Sequence, residues 1–239
     1  MIEKEIDIST ADGDMNTFIT YPEEEGPHPV ILFLMDAPGK RVELHDMASR
    51  LGTAGYYVML PNLYYRRVSV YRVDQSTRDE MHDHMDSLSN DMVCADIANL
   101  IDYADQDHAA KTVKLGCLGY CMSGPFAFAA AAQFPDRIAA SASIHGVKLI
   151  TDAPDSPHLG ASKIAGEIYF GCAETDSYAP TEMIESLKSH LDEIGINARV
   201  EWYLGTQHGF VFPKRKGIYD KVSAERHWER LFALYRRCL

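Results

Sequence analysis

Cys121 stands in Leu118-Gly119-Tyr120-Cys121-Met122-Ser123-Gly124, directly after a β-patterned run and directly before an Ala-rich stretch of helical character. That context predicts a tight strand-to-helix turn holding the cysteine in a strained, exposed position. The two backbones nearly touch at such a turn, so little side chain fits two positions before or after the apex. Gly119 and Ser123 meet that demand, and Gly124 adds clearance. At a helix N-terminus the dipole and free amides favour thiolate over thiol. A thiolate attacks a carbonyl well, and the Met122 amide points to where an oxyanion would form. Taken alone, the motif fits a buried core cysteine equally well.

A cysteine or serine nucleophile in this kind of turn needs an acid and then a histidine later in the chain, each in a loop after a strand. Glu167–Gly171 reads as one such strand, and Cys172–Pro180 as its loop. Val200–Tyr203 reads as another, followed by Leu204-Gly205-Thr206-Gln207-His208-Gly209-Phe210. His208 would take the proton from Cys121 and return it to a leaving group, and Asp176 would fix its tautomer. Glu174 competes for the acid role, and Asp176 is preferred because it lies deeper in the loop. The second oxyanion donor is expected from Asp36-Ala37-Pro38-Gly39; Pro38 has no N–H, which leaves Ala37. Asp36 either regulates the ionisation of the thiol or caps the loop, and the sequence leaves both open.

Positioning these residues calls for alternating strands and helices. Ile2–Ile8 and Met15–Tyr21 flank an Asp-Gly turn and predict a hairpin. Val30–Met35 is a continuous apolar run, the pattern of a strand buried on both faces. Further strands are expected at Tyr56–Leu60, Val113–Leu118, Ile138–Ile144, Glu167–Phe170 and Ala198–Tyr203. Helices are expected near Leu44–Ala54, Asp91–Tyr103, Pro125–Phe134, Thr181–Ile194 and Lys221–Arg236, the last with Val222, Trp228, Leu231, Leu234 and Tyr235 available for burial. Asn62 to about Met81 reads as loop with short helix. The alternation implies a mainly parallel sheet covered by helices on both faces, with the hairpin at one edge. Nothing resembles an interdomain linker, so residues 1–239 are expected to form one domain.

The chain has 239 residues, 46% hydrophobic and 24% charged, enough apolar material for a sizeable core. A net charge of −12 argues against nucleic acid or an anionic membrane as partner. The N-terminus alternates charge with isoleucine and is no signal peptide, and no apolar run reaches membrane-spanning length. The five cysteines, Cys94, Cys117, Cys121, Cys172 and Cys238, form no CxxC pair, which suits free thiols in the cytoplasm.

Gly119-Tyr120-Cys121-Met122-Ser123-Gly124, Pro61-Asn62-Leu63-Tyr64, the Asp176 loop and His208-Gly209-Phe210 together resemble the dienelactone hydrolase family. The resemblance runs over essentially the whole chain. It implies an α/β-hydrolase fold and a Cys121–His208–Asp176 triad. It further implies hydrolysis of a small-molecule carboxylic ester or lactone through an acyl-enzyme, with no cofactor or metal, in a monomer or homodimer. An acidic residue in the place of Asp36 tunes the nucleophile in that family, although a glutamate is more usual. Two arginines hold a substrate carboxylate there. Arg78 matches the first, whereas the second is expected where Phe212 stands, with Lys214 and Arg215 just beyond. Tyr120 and Phe212 join Arg78 as candidate substrate contacts, and Ser123 replaces a glycine.

Other features carry plainer readings. Arg66, Arg67, Arg72 and Arg78 with Tyr64, Tyr65 and Tyr71 fit either a pocket rim or a solvated loop. His82 and His84 do not share a helical face, which argues against a metal site. His145 reads as a satisfied structural histidine. Rival functions are a non-catalytic binding protein of the same fold, or a redox-responsive protein in which Cys117 or Cys172 resolves oxidised Cys121.

Overall fold

The computed structural model describes residues 1–239. It opens with strands β1 (Ile2–Thr10) and β2 (Gly13–Tyr21), antiparallel with Ile8 opposite Met15 and Thr10 opposite Gly13. The Asp-Gly signal thus lies in the hairpin turn. Then come β3 (His28–Leu34), α1 (Val42–Thr53), β4 (Tyr57–Pro61), α2 (Arg78–Asp86), α3 (Asn90–Ala104), β5 (Ala110–Tyr120) and α4 (Gly124–Gln133). The chain closes with β6 (Ile138–Ile144), β7 (Glu167–Thr175), α5 (Thr181–Ile194), β8 (Ala198–Gln207) and α6 (Lys221–Cys238).

All eight strands form one sheet in the order β1-β2-β4-β3-β5-β6-β7-β8. Strands β3 to β8 run parallel, and β2 joins β4 antiparallel, so the hairpin extends one edge. This is the expected α/β-hydrolase fold. Helices cover both faces: a Cβ on Gly116 would meet Tyr235 of α6, and one on Gly119 would meet Ala127 of α4. Residues three apart on a strand point to opposite sides. Every residue of β4, and β3 from Val30 to Leu34, is buried, which explains their unbroken apolar runs. No helix is long and apolar enough to cross a membrane.

One detail differs from the sequence reading and another refines it. Helix α6 buries Ala224, His227, Trp228, Leu231, Leu234 and Tyr235 but leaves Val222 80% exposed. Val222 precedes Ala224 by two residues, about 200° round the helix, and so faces water. Helix α2 starts at Arg78, within the segment read as loop with short helix. A reciprocal cap starts it: the Thr77 hydroxyl accepts from the Glu80 N–H, and the Glu80 carboxylate accepts from the Thr77 N–H.

Candidate active site

Cys121 follows the last residue of β5 and adopts φ 55°, the left-handed region a non-glycine residue rarely occupies. Residues Cys121–Ser123 make one 3₁₀ turn that leads into α4. The turn is closed so tightly that a Cβ on Gly119 would lie 1.9 Å from the Ser123 carbonyl oxygen. Only glycine fits there. Ser123 is fully buried, and its hydroxyl donates to the Met35 carbonyl, beside the loop that begins at Asp36. The small residue that steric crowding demands therefore also ties the turn to the neighbouring loop.

Strand register brings Asp176 and His208 together. Thr175 of β7 pairs with Gln207 of β8, so Asp176 and His208 leave adjacent strand ends side by side. His208 Nδ1 lies 2.6 Å from Asp176 Oδ2 and His208 Nε2 lies 3.1 Å from Cys121 Sγ. The other Asp176 oxygen accepts from the N–H groups of Tyr178 (2.9 Å) and Ala179 (3.1 Å), which fixes the carboxylate. Glu174, the rival acid, instead accepts from the Gly205 N–H at 2.7 Å and is exposed. Burial alone would lower the His208 pKa. The hydrogen bonds and charges of Asp176 and Cys121 outweigh it and push the imidazole up to about 9. The ring thus presents Nδ1 to the carboxylate and Nε2 to the sulfur.

Cys121, His208 and Ala37 line one cleft of about 210 Å³ with Pro38, Met81, Met85, Val147, Tyr178 and Arg215. The Tyr64 hydroxyl donates to the Ala37 carbonyl at 2.9 Å, so the second motif of the sequence reading steadies the loop of the second oxyanion candidate. The Tyr64 segment is itself closed by Asn62, whose amide donates to the carbonyls of Val68 (3.0 Å) and Ser69 (3.1 Å).

Asp36 is fully buried and grips two guanidiniums. Arg41 engages both its oxygens and also donates to Glu43 at 2.8 Å, while Arg215 lies 3.4 Å from Asp36 Oδ2. Both arginines lie over the Phe212 ring, at 5.3 Å for Arg41 and 5.0 Å for Arg215. Arg215 reaches the cleft because Phe212 N–H donates to the Gly209 carbonyl and Arg215 N–H to the Phe212 carbonyl, folding the chain back. A Cβ on Gly209, at φ 88°, would meet the Arg215 guanidinium at 2.2 Å, so this glycine makes room for the charge.

Three expected contacts need correction. Tyr120 is wholly buried, and its hydroxyl bonds His227 Nε2 at 3.1 Å. Phe212 is wholly buried as the platform for the two arginines. Neither lines the cleft. Arg78 does not line it either; its guanidinium donates to the Tyr178 hydroxyl at 3.0 Å, and Tyr178 stands 5.0 Å from the His208 ring. The cleft arginine is Arg215, which the sequence reading noted only as lying beyond the expected place. His145 is not a satisfied histidine: it is 1% exposed and neither ring nitrogen has a partner. Its ring packs edge-on to His208 at 4.7 Å, and burial, then the neighbouring His208 charge, hold it well below the usual imidazole range. Burial also pushes the Cys172 thiol up to about 12 and that of Cys117 higher still, which disfavours either as a redox partner. No three His, Cys, Asp or Glu side chains gather in a way that could hold a metal, and His84 stacks on Tyr64 at 5.1 Å.

Residues 15–239 match the dienelactone hydrolase family. The chain is 23% identical over 225 residues to the usf protein of Aquifex pyrophilus, covering 93% of each chain. It is 22% identical to a Synechocystis protein provisionally named a carboxymethylenebutenolidase, covering 91% of this chain and 89% of the other. A crystal structure from Klebsiella pneumoniae, provisionally named a dienelactone hydrolase, superposes with TM-score 0.89 at 20% identity over 98% of both chains. The chain belongs to the dienelactone hydrolase family and is a hydrolase of the ester or lactone type.

Proposed function

We propose that the protein hydrolyses a small-molecule carboxylic ester or lactone through an acyl-enzyme on Cys121, with His208 and Asp176 completing the triad. The observation that carries this reading is the relay from Asp176 through His208 to the sulfur, at 2.6 Å and 3.1 Å. His208 takes the Cys121 proton as the sulfur attacks and returns a proton when the thiol is regenerated, and the hydrogen bonds and charges around the ring favour its protonated form.

The sulfur forms a bond to the carbonyl carbon, and the C=O π pair moves onto oxygen, where the Met122 and Ala37 N–H groups receive it. Collapse expels the alkoxide, which takes the proton from His208 Nε2. Water then attacks the thioester, giving its proton to His208, and thiolate departs with the acid product. Asp176 orients the ring throughout and stabilises it whenever it carries the proton. Arg215 lies loosely against Asp36, which Arg41 holds more closely, and so keeps donors free for an anionic or carbonyl group of the substrate. Asp36 then acts by placing these two guanidiniums. Hydrolysis of an activated ester that disappears in Cys121→Ala tests the assignment; equal turnover in both proteins would overturn it.

A further inference from the structure

We propose that the catalytic cleft continues into a second subsite that receives an uncharged, medium-length acyl chain. This rests on the ester hydrolase reading above and names a substrate class for the same site. A groove of about 430 Å³ adjoins the cleft and shares Met85, Val147 and Lys148 with it. Its apolar lining comes from Met85, Leu88, Met122, Phe126, Val147 and Ala153. Together the two spaces reach the size of an ordinary ligand pocket, whereas the cleft alone is smaller than most.

The groove is fixed to the reacting atoms. Val147 N–H donates to the Cys121 carbonyl at 3.2 Å, and Met122, the oxyanion donor, contributes to the lining. Its direction assigns it to the acyl side. The leaving oxygen must take its proton from His208, and the groove lining contains neither His208 nor Tyr178 nor Arg215. A chain on the carbonyl carbon, by contrast, can run past Met122 onto Phe126. Methionines at Met85 and Met122 are unbranched and adaptable, which suits a flexible hydrocarbon.

Charge pairing excludes an acidic chain end. Lys148 is the only cation of the groove, and its ammonium lies 3.3 Å from Asp86. Asp155, which lines the groove but not the cleft, is engaged by the Asn90 N–H at 3.1 Å and adds negative charge. A carboxylate there would meet repulsion; a methyl terminus would not.

The test is kcat/KM for p-nitrophenyl acetate, butyrate, hexanoate and octanoate, in wild type and Ala153→Trp. Ala153 is exposed and lines the groove but not the cleft, so an indole introduced there would occupy groove space away from the reacting atoms. Each methylene that enters is expected to raise kcat/KM about fourfold, from roughly 0.8 kcal/mol per buried CH₂. In Ala153→Trp the octanoate-to-acetate ratio is expected to fall at least tenfold, a ratio independent of how much protein folds. A flat series with clear acetate turnover would overturn the subsite and leave the hydrolase reading standing. A rise confined to the alcohol side, seen with hexyl against methyl acetate, would overturn the acyl assignment. No turnover of any ester by wild type would remove the hydrolase reading and the subsite with it.

Discussion

The buried Ser123 hydroxyl donates to the Met35 carbonyl and so joins the turn that holds Cys121 to the strand end that leads into Ala37. The two oxyanion candidates, Met122 and Ala37, flank this bond in sequence. The Tyr64 hydroxyl, which lies against both the Ala37 carbonyl and the Met122 sulfur, supplies a second tie between them.

Ser123→Ala should therefore cost about 1–3 kcal/mol, since it leaves a buried carbonyl unpaired. It should also lower kcat for an activated ester more than it raises KM, because the proposed oxyanion donors lose one of the bonds that hold them in place. Urea unfolding and steady-state kinetics measure the two effects. Unaltered kcat in a destabilised protein would show the bond to be structural only.

Asp176→Asn should move the alkaline limb of kcat/KM to lower pH. His208 is raised from 6.5 to about 9, so the imidazolium needed to protonate the leaving group persists until pH passes about 9. The amide removes the charge that holds it. The same shift predicts a stability change in the wild type: its contribution is complete below pH 6.5 and is lost as pH rises through about 9. A limb that stays near 9 in the variant would assign it to another group.

Asp36→Asn should destabilise by about 3–5 kcal/mol, because Arg41 would keep a largely buried charge facing a neutral amide. Denaturant midpoints at constant m-value check this. Arg215→Gln is expected to leave folding nearly intact and to raise KM for an anionic ester about tenfold over a neutral one of equal size. An equal rise for both esters would remove any role for Arg215 in charge recognition.

The clustering of Cys121, Asp176 and His208 was legible because its information is local: a small-residue turn after one strand, then an acid and a histidine after two more. The sheet order follows from the same alternation of apolar runs and amphipathic stretches. What sequence could not give is how chain reversals carry a residue to a place. Arg215 enters the cleft through two successive turns over Gly209, and spacing alone does not reveal them. The burial of Tyr120 and Phe212 depends on helix α6 and on the arginine pair, both remote in sequence. The start of α2 was legible in Thr77-Arg78-Asp79-Glu80, a capping pattern within a segment otherwise poor in periodicity.

His145→Phe should stabilise the protein by about 1 kcal/mol, raising Tm by a few degrees, as it removes two buried nitrogens without partners. The ring sites around it, Tyr120, Phe210 and Phe212, already accept an aromatic edge. A lower Tm would mean that the φ of 39°, which histidine tolerates better than phenylalanine, dominates.

The most direct test of the mechanism is mass spectrometry of intact protein quenched during turnover of p-nitrophenyl acetate, in wild type and Cys121→Ala. The account predicts an acetyl adduct on Cys121 in the wild type, with neither adduct nor turnover in the variant. Turnover that persists without Cys121, or an adduct on another residue, would contradict it.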